Sequence, residues 1–282
     1  MRDTLPSAKQ MESPAGSVPD FDDPPVTETL LDVAFSPLAS WRIPHFGLFW
    51  ETIKQDYPYT EDQPPVLLQR ERFGVEPMKS LQLAFQVLQG PEARCWFISS
   101  SQSRLIQVQN DRFIQNWRKV PGEEPYPHYD TMRVTFAREW KRFCDFLAKE
   151  SLGVPDIQQC EIQYINHIEH ATWQSYVDLV SAFSLWPGNA NNSELPNPED
   201  LAVNTTYLLP NNRGRLRVNM QSVIRNSDAK RVIQLTLTAR GTPESSSTDD
   251  MLSWLDFGRD WIKKAFMSFS TEKMHLLWKK KG

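Results

Sequence analysis

The sequence predicts an α+β fold with a mainly antiparallel sheet and long helices on one face of that sheet. Strand-like patterns come in consecutive runs, and a long helical pattern closes each run. The chain has 282 residues, of which 40% are hydrophobic, and this is enough for a core of ordinary size. We therefore expect each strand to place one face on the core and the other toward polar surroundings.

The first half begins with a strand and a short helix. Apolar residues alternate over 30–35, which predicts a strand, and Pro44 opens a helical pattern that runs to Tyr57. Three further strands are predicted at 81–88, 94–99 and 104–117. Asn110 and Asp111 indicate a bulge or tight turn within the third of these, because the apolar positions change parity there.

The second half repeats this order of elements. A long helix over 131–151, capped by Asp130, closes the first half. The second half then contains a strand at 158–168, a helical pattern at 173–183, strands at 203–209, 215–224 and 231–239, and a final helix from about residue 250. The loop 226–229 is expected to join the last two strands, and 99–103 the matching pair in the first half. This order predicts two duplicated β-α-β-β-β-α units.

The domain boundaries follow from composition and element order. Residues 1–24 are predicted to be a disordered tail, because they are rich in proline, serine and aspartate and have few large apolar side chains. The two units are predicted at 25–155 and 156–282, packed as one globular body.

Composition excludes several classes of function. The net charge of −4 disfavours nucleic acid as a partner, and no apolar run approaches the ~18 residues that a membrane span needs. Three cysteines at spacings typical of neither disulfide frameworks nor zinc sites favour a reducing, cytoplasmic location. Glycine-rich phosphate loops and nucleophile-elbow motifs are absent from the sequence, so we expect no cofactor and, more generally, no enzyme.

One candidate binding site lies on the predicted strand that ends near residue 118. Amides and arginines alternate there with aromatic residues. Such groups can hydrogen-bond a peptide backbone, a base or a small ligand, or they can satisfy buried strand ends. The candidate binding residues on this strand are Gln107, Gln109, Arg112, Asn116, Trp117 and Arg118.

A second candidate site is a set of three alternating arginines. Arg213, Arg215 and Arg217 should project from the same face of a strand. Three guanidinium groups side by side suit an anionic partner, although a solvated sheet face produces the same pattern.

A third cluster has the residue types of a metal site. His167 and Glu169 share one face of an extended strand, and His170 follows them directly. A salt bridge at the end of the strand is the alternative explanation.

Three motifs together resemble a sporadically distributed bacterial family of unknown function. They are Pro24-Pro25-Val26-x-Glu28, Gln107-x-Gln109-x-x-Arg112-Phe113-x-x-Asn116-Trp117-Arg118, and Glu161-x-x-Tyr164-x-Asn166. The resemblance covers 24–282 and implies a bacterial protein without established catalytic residues. Patchy occurrence of this kind is compatible with defence-associated genes.

These observations favour a non-enzymatic interaction or regulatory protein. We expect it to bind a protein partner through its sheet surface, as an accessory subunit in a bacterial defence or conflict system. Two alternatives remain open. One is a metal-assisted hydrolase centred on His167, Glu169 and His170, and the other is a small-ligand or single-stranded RNA binding module that uses the strand 107–118.

Overall fold

The computed structural model describes residues 20–67, 69–73, 93–169, 182–184 and 199–281. In chain order, the described elements are β1 (Val26–Phe35), α1 (Pro44–Ile53), β2 (Tyr59–Gln63), β3 (Arg94–Ile98), β4 (Arg104–Gln109), β5 (Arg112–Arg118), α2 (His128–Lys149), β6 (Ile157–Glu169), β7 (Ala202–Leu208), β8 (Gly214–Arg225), β9 (Lys230–Gly241), α3 (Thr248–Phe269) and α4 (Glu272–Leu277).

The nine described strands form one antiparallel sheet in the order β2-β3-β4-β5-β1-β6-β9-β8-β7. The first strand of each half, β1 or β6, lies at the centre, and the last strand of the same half lies beside it. The two halves join where β1 pairs with β6. This architecture confirms the predicted α+β class. Four strands of each half follow the same order, β1-β5-β4-β3 and β6-β9-β8-β7, and the first half has β2 in addition at the edge of the sheet, so it contains one strand more than the predicted β-α-β-β-β-α unit.

Both long helices pack on one face of the sheet. On α2, the rings of Trp140 and Phe143 lie 6.0 Å from the ring of Phe35 on β1. On α3, Gly258 lies so close to β6 that a Cβ at this position would be 2.9 Å from Ile162. A larger residue at 258 would push the helix away from the sheet. We call this side of the sheet the helix face.

The boundaries of several predicted elements change, since β1 begins at Val26 and α1 ends at Ile53. The helix α2 begins at His128 with Pro127 at its N-cap, so the prediction of Asp130 as the cap is wrong, and Asp130 lies in the first turn. The predicted strand 104–117 is two strands, β4 and β5, joined at residues 110 and 111. This turn, and not 99–103, corresponds to the loop between β8 and β9, because 99–103 joins β3 to β4.

Several other predicted elements lie wholly or partly outside the described residues. The strand predicted at 81–88 and most of the helical pattern at 173–183 lie outside them. Residues 1–19 of the predicted tail also lie outside, but within 20–24 Phe21 is packed: it is 5% exposed and pairs with Lys280 through a β-bridge. The packed part of the chain therefore starts before residue 25. Within the described part of the chain, no helix is long and apolar enough to span a membrane.

Candidate functional site

The face of the sheet opposite the helices carries mostly polar side chains, and we call it the polar face. Pairing of the strands aligns its residues in rows across the sheet, because every second residue of a strand points to the same side. Two neighbouring rows near the 110–111 turn are rich in amide and charged groups. The first contains Gln109, Arg112 and Gln159, and the second contains Gln107, Asp32, Glu161, Arg240 and Arg215.

Two carboxyl groups face each other at the centre of the polar face. Asp32 on β1 is directly opposite Glu161 on β6. An arginine accompanies each of them: Nη1 of Arg112 lies 3.5 Å from Oδ2 of Asp32, and Nε of Arg240 donates to Oε2 of Glu161. Like charges directly opposite each other destabilise a sheet, so these two arginines offset the repulsion.

The environment of Asp32 changes its acidity. Burial, which has the largest effect, and the nearby carboxylate of Glu161 together raise its pKa to about 7, although Arg112 acts in the opposite direction. Within the described part of the chain, Oδ1 of Asp32 and Nε of Arg112 have no hydrogen-bond partner. The centre of the polar face therefore holds a carboxyl group that titrates near neutral pH.

A segment of the chain, residues 64–67 and 69–73, crosses the polar face, and we call it the crossing segment. At one end, Nε of Arg94 on β3 donates to the carbonyl of Pro64 at 2.9 Å. At the other end, Nη1 of Arg215 on β8 donates to Glu71 at 2.7 Å. The crossing segment therefore reaches over the central strands and both rows of polar residues.

Two buried glutamines bind the backbone of the crossing segment. Gln109 accepts from the N–H of Val66 at 2.9 Å and donates to the carbonyl of the same residue at 3.3 Å. Gln159 accepts from the N–H of Glu71 at 2.9 Å and donates to the carbonyl of Gln69 at 3.0 Å. Each amide uses both its donor and its acceptor, and neither requires a particular side chain on the segment.

Two arginines bind the side chain of Glu71. Its Oε2 lies 2.7 Å from Nη1 of Arg215, and its Oε1 lies 2.5 Å from Nη1 of Arg217. Burial opposes ionisation of Glu71, but Arg217 and Arg215 outweigh this effect, and the pKa of the carboxyl is lowered. The guanidinium of Arg215 also lies 5.0 Å from the centre of the Phe73 ring. Charge and stacking together hold this end of the crossing segment.

A second network lies on the polar face of β3, β4 and β5. Gln107 accepts from Nε1 of Trp96 at 2.9 Å and from Nη1 of Arg94 at 2.5 Å, and it donates to Asn116 at 2.7 Å. Asn116 donates in turn to Glu28 at 2.7 Å. Burial raises the pKa of Glu28, although the bond from Asn116 acts in the opposite direction. Gln107 and Asn116 therefore satisfy groups of the fold itself.

Seven of the nine predicted binding residues lie on the polar face: Gln107, Gln109, Arg112, Asn116, Arg118, Arg215 and Arg217. The other two do not. Trp117 is buried on the helix face, 5.4 Å from the ring of Tyr126, and the guanidinium of Arg213 lies 4.3 Å from the ring of Phe257 on α3. The strand β8 begins at Gly214, so its alternation does not extend to Arg213.

The residues of the predicted metal cluster lie at the opposite end of β6. Nε2 of His167 lies 3.3 Å from Oε1 of Gln234, and the carboxylate of Glu169 accepts from Arg225 at 2.6 Å. Both side chains line a groove of about 890 Å³, whereas His170 lies outside the described residues. Across the described ranges, no three His, Cys, Asp or Glu side chains are grouped to hold a metal ion.

Five residues of this site were not among the predicted ones: Asp32, Glu71, Gln159, Glu161 and Arg240. Four of them carry a signal in the sequence, because they are polar at alternate positions of strands whose other residues are largely apolar. Glu71 lies outside any strand and carries no such signal. Comparison of the chain with models of known protein families and with curated proteins gave no match.

Proposed function

We propose that this protein is a non-enzymatic interaction protein that binds an extended segment of a partner protein on its polar face. The observation that carries the proposal is the pair of buried glutamines, each bonded to backbone groups of the crossing segment. In this reading, the crossing segment occupies the binding site from within the same chain.

The chemistry of the two glutamines supports binding of an extended peptide. Recognition of extended peptides commonly uses main-chain hydrogen bonds for affinity and side-chain pockets for specificity. Gln109 and Gln159 supply the main-chain hydrogen bonds, and Arg215 and Arg217 supply the pocket for a side chain. Buried amides are costly when they lack partners, so two glutamines without an extended segment would destabilise this face.

The alternative functions fit these contacts less well. A metal-assisted hydrolase needs at least a third ligand beside His167 and Glu169, and the carboxylate of Glu169 already binds Arg225. A small-ligand or RNA module on β4 and β5 needs free amides, whereas Gln107 and Asn116 bond to each other and to their neighbours. A role in a bacterial defence or conflict system stays a prediction from the resemblance.

A peptide library tests the proposed function. In the probe protein, which we call the Gly-Ser chain, ten glycine and serine residues replace residues 64–73. Random decapeptides displayed on phage should be enriched on this chain and much less on the natural chain, because the Gly-Ser segment lacks the carboxylate by which Arg215 and Arg217 hold the natural crossing segment. Adding Gln109→Ala and Gln159→Ala should remove the enrichment.

The matched control is Gln163→Ala in the Gly-Ser chain. This glutamine also lies on the polar face, but it donates to Thr238 and not to the crossing segment. The control should keep the enrichment. Peptides enriched equally with and without Gln109 and Gln159, or no enrichment at all, would contradict the proposed function.

A further inference from the structure

We infer that the bound partner segment carries an acidic side chain, which Arg215 and Arg217 receive in the place that Glu71 occupies within the chain. This inference rests on the proposed function and adds a ligand class to it. It also makes the crossing segment a competitor that a partner has to displace.

The distribution of charge around the two rows leads to this inference. The sheet supplies two carboxyl groups here, Asp32 and Glu161, and each lies against an arginine of a neighbouring strand. The carboxylate against Arg215 and Arg217 comes from the crossing segment. Removal of Glu71 would therefore leave two guanidinium groups side by side without an anion from the described sheet, on a protein whose net charge is −4.

Burial of Glu71 and Arg215 makes this site selective for a charged group. The side chain of Glu71 is 3% exposed and that of Arg215 is 12% exposed, whereas Arg217 is 37% exposed. A neutral side chain in this place would leave the guanidinium of Arg215 largely desolvated and without a counter-charge, and unpaired buried charges are strongly unfavourable. A site built for a charged group rejects uncharged analogues by large factors.

The contacts that bind the crossing segment are mostly polar, so a partner segment that offers the same polar groups can replace it. Leu67 is 54% exposed, and Gln69, Arg70 and Arg72 are exposed as well. Val66 and Phe73 are half-buried, and the contacts of the described part of the segment are mainly backbone bonds, the Glu71 carboxylate, the bond from Arg240 to Gln69 and the ring of Phe73 against Arg215. A partner segment with an acidic residue at the equivalent position can form the backbone bonds and the ion pairs with Arg215 and Arg217.

Two synthetic peptides test the inference with the Gly-Ser chain. The first has the sequence of residues 64–73, PPVLLQRERF, and the second has glutamine in the place of the glutamate. Fluorescence anisotropy of the labelled peptides should give at least ~10-fold tighter binding of the glutamate peptide, because only the carboxylate pairs with both arginines. Arg215→Ala with Arg217→Ala should make the two peptides equal.

Arg225→Ala is the matched control, because Arg225 lies on the same face of β8 but pairs with Glu169 and Asp228. It should keep the preference for glutamate. Equal binding of both peptides to the Gly-Ser chain would contradict the acidic ligand and leave peptide binding intact. Binding of neither peptide would contradict both proposals.

If the Gly-Ser chain does not fold, the affinities of the same two peptides are compared in a full chain with a single substitution. The variant Glu71→Gln leaves the arginines without the carboxylate of the crossing segment. A preference of at least ~10-fold for the glutamate peptide supports the inference here as well. Equal affinity or no binding contradicts it.

Discussion

Asp32 lies at the middle of the polar face, between Arg112 on β5 and Glu161 on β6, with Arg240 beyond. Its pKa is about 7 in the folded chain and near 3.8 when exposed to solvent. The folded state therefore holds the proton more tightly, and stability is highest when Asp32 is protonated. The free energy of unfolding should fall between about pH 4 and pH 7, by at most ~1.4 kcal/mol per pH unit from this group.

The variant Asp32→Asn should lack this part of the pH dependence. Urea unfolding at pH 5 and pH 8 measures it as the difference between the two chains. Asp62→Asn, which changes an exposed aspartate on β2, is the control and should follow the natural chain. Parallel pH profiles for Asp32→Asn and the natural chain would show that Asp32 titrates in the same range in both states.

The two arginines at the ends of β5 should differ in their effect on stability. Arg112 is buried against Asp32, so Arg112→Ala should cost about 3 kcal/mol at pH 8, where the carboxylate would be left without its partner. Arg118 is half-buried and donates to the carbonyl of Gln102, so Arg118→Ala should cost less than about 1 kcal/mol. Chemical denaturation at pH 8 compares them, and equal costs would contradict this assignment.

The sequence indicates residues on a strand better than residues between strands. Alternation was enough to predict Gln109 and Arg215, because each strand residue has only two directions in which to point. Trp117 lies on the face opposite to that of its neighbours Asn116 and Arg118, as alternation along a strand requires. Glu71 has no periodic pattern around it, so nothing local connects it with Arg215.

Among the elements, α3 has the clearest start. The side chain of Ser247 accepts from the N–H of Asp250 at 3.1 Å and so satisfies a donor that the helix leaves open. Ser247→Ala should lower the free energy of unfolding by about 1 kcal/mol. Ser253→Ala, at an exposed position inside the same helix, should have no cost, because alanine has the higher helix propensity. Thermal unfolding of the two variants would contradict the cap if Ser247→Ala were the more stable.

The sequence analysis missed β2, because this strand has no apolar pattern of its own. The strand β2 is polar and mostly exposed, and it is held to β3 by backbone pairing. The sequence predicts a bulge or tight turn at Asn110 and Asp111 within 104–117. The pairing of Gln109 with Arg112 shows that it is a tight turn that separates two strands.

On the scale of the whole molecule, residues near the start of the described chain pack against residues near its end. The ring of Phe21 lies 5.3 Å from that of Phe266 and 6.1 Å from that of Trp278. Phe21→Ala should therefore cost about 3 kcal/mol of stability, as expected for a buried phenylalanine. Asp22→Ala is the control at an exposed position and should cost less than about 1 kcal/mol. An equally small loss for Phe21→Ala, measured by urea unfolding, would show that the contact contributes little.

The α+β class with an antiparallel sheet could be predicted from the sequence, but the order of the strands in the sheet and the site could not. Four strands of each half follow the same order in the sheet, and the first half has β2 in addition. The site depends on contacts over long distances in the sequence: Val66 and Gln109 are 43 residues apart, and Glu71 and Arg215 are 144 apart. Periodicity describes only what neighbours on one element share, so it cannot show such contacts.

The pairing of β1 with β6 has a consequence for synthesis of the chain. One edge of β1 can pair with β5 once residue 118 has left the ribosome, but its other edge has no partner until residues 157–169 emerge. During that interval the central strand of the finished sheet is an edge strand, with the apolar residues Leu31, Val33 and Phe35 beside its open backbone groups. Open edges of this kind recruit other chains. The protein is therefore most open to pairing with other chains while only its first half has been synthesised.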